Sequence, residues 1–328
     1  MWIGYSDSYE QNAAGYPPYP PRHEYRESKA MTHSIHPYVH SVWVLAIRPK
    51  TLPASISPVL VGTAMAISDK GFNGLPALAA LIGSLLLQIG VNLANDYFDF
   101  RKRVDTQERI GPIRVTQSGL IPPEHMKTAM IITFGLVSLV GVYLTLISGW
   151  PILAAGIASI LAALAYSGGP YPLGSYGLGD LLVFFFFGIV AVCGTYYVQA
   201  LHLNQLAVFA SVPVGLLITA ILVVNNLRDM MTDRKAGKHT LAVILGQRGA
   251  RIEYVTLLAG GYLMPVFLFF IEKGSAWVLL PLLTLPLATS LCLTICQKEG
   301  PILDETLAGT ARLTIAFSLL FSMGLLLC

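Results

Sequence analysis

Charge is what this sequence has least of. Only 12% of its 328 residues are Asp, Glu, Lys or Arg, about half the roughly 25% of a soluble domain. No such residue occurs from Thr128 to Gly179, nor from Leu181 to Leu227. Each stretch is long enough for two helices of about 20 apolar residues, which a hydrocarbon core of about 30 Å requires. That excludes a soluble globular fold. Cysteine is scarce as well: Cys193, Cys292, Cys296 and Cys328 all fall in apolar stretches. None has zinc-type spacing with a histidine, and disulfide frameworks belong to small secreted domains, so they read as small apolar residues. Residues 1–40 lack any apolar run like the centre of a signal peptide. This Tyr- and Pro-rich segment reads as a disordered tail, or as sequence wrongly placed ahead of a second start at Met31. Its His33, His36 and His40 are interrupted by Pro37 and have no accompanying carboxylate, which argues against a metal site.

What remains, residues 41–328, reads as one all-α domain, a polytopic membrane bundle of about nine helices. Apolar spans are expected near residues 52–68, 74–95, 128–147, 151–167, 180–200, 206–226, 253–271, 276–296 and 306–327. Basic residues crowd into alternate loops. Arg101, Lys102, Arg103, Arg109, Arg114 and Lys127 follow the second span, and Arg228, Arg234, Lys235, Lys238, Arg248 and Arg251 follow the sixth. The loops of opposite parity hold only Lys70, Lys273 and His202. Lys and Arg accumulate on the cytoplasmic side, so the N-terminus and both charged loops are expected there, in an inner (cytoplasmic) membrane. Breakers such as Ser148-Gly149-Trp150-Pro151 mark the turns, and the shortness of that one implies an antiparallel pair.

Two polar clusters carry the chemistry. The second span ends in Asn92, Asn95, Asp96 and Asp99, with Asp105 beyond; the sixth ends in Asn226, Arg228, Asp229 and Asp233. Residues three or four apart on a helix share a face, so each cluster can point one way, and the four-span offset suggests that the two face each other. Converging carboxylates at a span end need a partner. Mg²⁺ takes oxygen ligands and binds through one or two carboxylates together with substrate phosphates. Nearby bases would neutralise the remaining phosphate oxygens. Metal and bases together stabilise the charge that develops on a departing diphosphate. A single Asp-x-x-Asp at a helix end is ordinarily just a solvated terminus. Two, each preceded by asparagine and followed by a basic loop, point to a shared site.

Asn95-Asp96-x-x-Asp99 with Asp229-x-x-x-Asp233 resembles the UbiA superfamily of intramembrane aromatic prenyltransferases. Further segments resemble its 1,4-dihydroxy-2-naphthoate branch: Arg48-Pro-Lys-Thr-Leu-Pro-Ala, Arg109-Ile-Gly-Pro-Ile-Arg-Val-Thr-Gln-Ser-Gly119, Gly168-Gly-Pro-Tyr-Pro-Leu-Gly with Gly177-Leu-Gly-Asp180, and Gly237-Lys-His-Thr-Leu-Ala-Val243. The resemblance covers roughly residues 41–328. It implies helices around a central cavity open sideways to lipid. It also implies two Mg²⁺ held with diphosphate by Asp96, Asp99, Asp229 and Asp233, with Asn92, Asn95 and Asn226 assisting and Asp105 extending the first motif. Arg228, Lys238, Arg109 and Arg114 are the expected diphosphate contacts. The substrates would be a polyprenyl diphosphate and dihydroxynaphthoate, with no nucleic-acid partner.

One departure bears on the acceptor. The 4-hydroxybenzoate branch of the superfamily carries a Tyr and a basic residue after the fourth span. Here the loop reads Tyr166-Ser-Gly-Gly-Pro-Tyr171-Pro, without Lys or Arg. This shifts acceptor recognition to Arg48, with Tyr166 and Tyr171; Arg48 also reads as an interfacial anchor beside Trp43. Homogentisate, hydroxybenzoate and haem porphyrin are the competing acceptors. A cation transporter is the competing class, but it calls for acids near mid-membrane, and these lie at span ends.

Overall fold

The computed structural model describes residues 38–102, 111, 114–271 and 275–328. Asp105, Arg109, His33 and His36 lie outside them, as does most of the expected tail. The chain divides into two units, Met1–Trp43 and Val44–Cys328. In the first, residues 38–43 are helical. The second contains the bundle, and among the described residues it has no strand.

Helix α1, Tyr38–Ile47, stops because Arg48 takes a left-handed backbone (φ 56°) and a short 3-10 turn, Pro49–Thr51, follows. Pro53 then opens α2, Pro53–Ser68, as proline does well at a first helical position. The segments Val42–Thr51 and Pro53–Ser68 are bent by 48° and together have the length and apolarity of one span. Eight more helices qualify singly: α3 (Gly74–Lys102), α4 (Pro123–Ser148), α5 (Trp150–Ser167), α6 (Gly179–Ala200), α7 (Gln205–Lys235), α8 (Leu241–Ile271), α9 (Ala276–Gln297) and α10 (Leu303–Leu327). All nine expected spans thus have a counterpart.

The helices exceed the apolar windows in an informative way. α3 was expected to stop near residue 95 and instead runs to Lys102; α7 runs to Lys235 instead of 226. Both end in two bases, Arg101 with Lys102 and Arg234 with Lys235, which suit the negative end of the helix dipole. The acids therefore sit on helix, as their shared-face reading requires. α8 begins at Leu241, well before the expected 253, with a break at Gly246 (φ 71°). Arg248 and Arg251 make that stretch read as part of the basic loop. α9 starts as a nine-residue 3-10 segment, Ala276–Thr284, which hydrophobicity alone cannot distinguish from α-helix.

α7 is the axis of the bundle and packs against α2, α6, α8 and α10. Val214, Leu217 and Val224 of α7 meet a core that includes Tyr254 of α8, Phe317 of α10 and Met65 of α2. α4 and α5 lie mostly exposed at the periphery, as lipid-facing helices do. Within α6, residues Phe184–Val190 widen into a π-helix where it crosses α7. There a Cβ on Gly188 would lie 2.7 Å from the Gly215 Cα, so the crossing requires small residues. The widened turn directs Phe186 and Phe187 into the interior of the bundle.

Candidate active site

A cavity of about 510 Å³ opens between these helices. One end is apolar, walled by Val183, Phe186, Phe187, Ile218, Ile221 and Leu222; the other is polar, walled by Asn92, Asn95 and Asp99 of α3 and Asn225, Asn226, Asp229 and Asp233 of α7. The expectation that the two clusters face each other holds.

The acids are not equivalent. The Asp99 carboxylate accepts from Arg114 Nη2 at 2.7 Å and lies 3.4 Å from Lys238 Nζ. Lys238 is also 3.8 Å from Asp233 and so bridges the two helices. Its placement follows from the end of α7. Gly237 is left-handed (φ 72°), its N–H donates to Arg234 O, and the Lys238 N–H donates to Asp233 O. This pair of bonds is the Schellman closure, and it folds Lys238 back over the cavity. Asp96 behaves differently. It is 2% exposed, and its two oxygens accept the Val115 and Thr116 amides at 3.2 and 3.1 Å. Its carboxylate pins the turn that carries Arg114 to Asp99. It was expected among the metal ligands, and it is not among the residues that line the cavity.

Arg228, expected as a diphosphate contact, lines the cavity. In the fold its guanidinium is 2% exposed, grips Asp229 through two bonds of 2.8 Å, and reaches Asn225 at 2.9 Å and Asp304 at 2.6 Å. Such a fork–carboxylate pairing is strong and directional. Arg228 thereby ties α7 to the start of α10. Asp304, a cavity-lining acid, escaped the sequence reading because it stands outside both motifs; its position in the first turn of an apolar helix was the available signal.

The remaining residues fall into place around these. Asn92 donates to Ile47 O at 2.8 Å and to Thr51 Oγ1 at 3.0 Å, bracing the turn that bears Arg48. Asn95 Oδ1 accepts from the Ser167 hydroxyl. Arg48 lines the cavity and approaches Asp96 to 4.0 Å. Tyr166 lines it too, whereas Tyr171 is 72% exposed and does not. The loop after α5 is joined to the loop after α7 by His239 N–H donating to Ser175 O at 2.8 Å, so the two glycine-rich segments form one rim.

Among the described residues, no three His, Cys, Asp or Glu side chains lie together as a ready-made metal cage. Mg²⁺ does not require one. It binds through one or two carboxylates plus phosphate oxygens, and the oxygen donors Asn95, Asp99, Asn226, Asp229 and Asp233 around the polar end of the cavity fit that mode.

Comparisons with known proteins agree with this architecture. Residues 55–301 match the UbiA prenyltransferase family, and the chain belongs to it. Over 292 residues, 87% of this chain and 95% of the relative, it is 40% identical to the 1,4-dihydroxy-2-naphthoate octaprenyltransferase of Escherichia coli (strain K12). It is 39% identical to the protein of the same name from Mycobacterium tuberculosis (strain ATCC 25618 / H37Rv), over 84% of this chain and 94% of that one. Its fold is similar to that of a UbiA homolog from Archaeoglobus fulgidus bound to GPP and Mg²⁺. The TM-score is 0.64 at 15% identity, covering 86% of this chain and 99% of the other. The chain is a multi-pass integral membrane protein.

Proposed function

We propose that this protein transfers a polyprenyl group from its diphosphate to 1,4-dihydroxy-2-naphthoate, releasing diphosphate and CO₂ in menaquinone biosynthesis. The observation that carries the reading is the two-ended cavity: a polar wall of Asp99, Asp229, Asp233 and Lys238 contributed by α3 and α7, joined to an apolar wall of α6 and α7. A prenyl diphosphate has the same two ends. The names of the relatives supply the acceptor.

Asn95, Asp99, Asn226, Asp229 and Asp233 would hold Mg²⁺, two ions in this reading. Bound with the substrate, Mg²⁺ would supply charge neutralisation of the departing diphosphate. Lys238 and Arg114 donate to its remaining oxygens, exchanging carboxylate partners for phosphate ones. Phe186, Phe187 and Leu222 exclude water from the allylic carbon. The allylic C–O bond breaks with its electron pair passing to diphosphate. The ring carbon bearing the carboxylate attacks C1 of the prenyl group. The C–CO₂⁻ bond then breaks, its electrons return to the ring, and CO₂ leaves. Arg48 and Tyr166 orient the acceptor. The polar end faces the cytoplasm, on the side where the basic residues accumulate.

The test is prenyl transfer by membranes containing the protein, given dihydroxynaphthoate, radiolabelled geranylgeranyl diphosphate and Mg²⁺, beside Asp99→Asn and Asp229→Asn membranes. Metal-dependent prenylated naphthoquinol, lost in both variants, is expected. Product from hydroxybenzoate or homogentisate in place of dihydroxynaphthoate would overturn the acceptor. No transfer to any of the three would overturn the activity.

A further inference from the structure

A second concavity lies beside the cavity, between the start of α2 and the middle of α10. It is lined by Lys50, Pro53, Ala308, Ala311, Arg312 and Leu319, among others. Its composition is unusual for a membrane-facing surface. The walls are small or apolar, yet both cations, Lys50 and Arg312, are exposed. Among the described residues neither makes a side-chain hydrogen bond or an ion pair. Arg312 sits nine residues after the start of α10, about 13 Å along the axis at roughly 1.5 Å per residue. This places it on a spanning helix, below the level of Asp304. A charged side chain at such a position is expensive without a partner and marks a functional contact.

From this we infer that the groove holds one anionic phospholipid. Its phosphate is bridged by Arg312 and Lys50, and one acyl chain runs inward from there along Ile315, Ala316 and Leu319. Three features fit this occupant. An arginine fork and a lysine ammonium match phosphate oxygens, with Arg giving the directional pair and Lys the point charge. Ala316, one turn deeper on α10 than Arg312, leaves space at chain height that a larger residue would fill. Basic pockets between helices near the cytoplasmic surface are the recognised setting for anionic headgroups. Lys50 also lines the main cavity, so the lipid headgroup would sit at the cavity rim. The inference depends on the spanning character of α10 and on these side chains, and does not depend on the reaction proposed above.

The experiment is native mass spectrometry of the full chain in detergent with equal amounts of phosphatidylglycerol and phosphatidylcholine. The wild type should retain phosphatidylglycerol in preference. Arg312→Gln and Lys50→Gln should each lower that retention about fivefold, the share expected of one basic group at the membrane surface. Arg312→Lys should preserve most of it. Ala316→Leu, which fills the channel without altering charge, should lower it as well, and it decides the matter if the charge variants fold poorly. Equal retention of the two lipids, or undiminished phosphatidylglycerol in Ala316→Leu, would overturn the inference. So would stoichiometric displacement of phosphatidylglycerol by geranylgeranyl diphosphate, which would assign the groove to the prenyl substrate.

Discussion

Asp96 and Asp99 are three residues apart on one helix, and the structure gives them different work. Replacing each with asparagine separates the two roles. Asp96 accepts two backbone amides at 3.1 and 3.2 Å in a site 2% exposed. Asparagine retains one acceptor oxygen and presents an NH₂ where an N–H donor needs an acceptor. One bond to a charged group is lost and a buried amide is left unsatisfied, about 2 kcal/mol in total. That weakens docking of the Arg114 turn by about 30-fold at most, and prenyl transfer should fall by no more than this factor. Since Asp96 is outside the cavity, the Mg²⁺ concentration for half-maximal rate should stay near the wild-type value. Asp99→Asn removes a cavity carboxylate. Loss of a group that organises charge at the departing oxygen costs on the order of 10²–10³ in rate, and its Mg²⁺ requirement should rise. The assay is prenyl transfer across a Mg²⁺ titration at saturating prenyl diphosphate. An equal rise in Mg²⁺ requirement for both variants would make Asp96 a ligand and refute the positioning role.

Four further outcomes follow from the geometry. Gly237→Ala forces a Cβ onto a left-handed residue (φ 72°), a strain of roughly 1–2 kcal/mol. It should raise the KM for prenyl diphosphate about tenfold by displacing Lys238, with Gly237→Asn milder. Arg228→Met strands the buried Asp229 and also removes the Asp304 contact. It should destabilise by about 3–5 kcal/mol, seen as a lower thermal midpoint, whereas Asp304→Asn should cost much less because Asp304 is 45% exposed. Phe187→Ala opens the apolar wall and should shift preference towards longer allylic diphosphates in a competition assay, while Tyr171→Ala, on an exposed residue outside the cavity, should leave the KM for dihydroxynaphthoate within about twofold.

The spans were legible because membrane solvation writes itself into composition: 20 consecutive residues either tolerate hydrocarbon or do not. Their ends were not, since polarity rises before helix stops. At Asn95, Asp96 and Asp99 the side chains find hydrogen-bond or ionic partners, so the backbone has no reason to unwind. The 3-10 opening of α9 and the π-turn in α6 were invisible for another reason. They arise from packing, such as the Gly188–Gly215 approach, and apolar residues in sequence look alike in any helical winding.

The site was legible as a set of residue types and much less as a set of roles. Spacing places Asn92, Asn95, Asp96 and Asp99 on a common face, but a face spans a wide arc, and the third dimension divides it. Asn92, Asn95 and Asp99 all line the cavity, Asn92 while also bonding to the Arg48 turn, and Asp96 turns to the Arg114 turn. The bases differ as well: Lys238 reaches Asp99 and Asp233, while Arg228, also on the cavity wall, joins Asp229 to Asp304. A carboxylate cluster at a span end would repel itself apart if every member faced inward. Committing Asp96 to backbone amides, and pairing Asp229 with Arg228 while it still lines the cavity, lowers that repulsion before any substrate arrives. The motif is therefore longer than its chemistry requires because part of it is there to hold the rest in place.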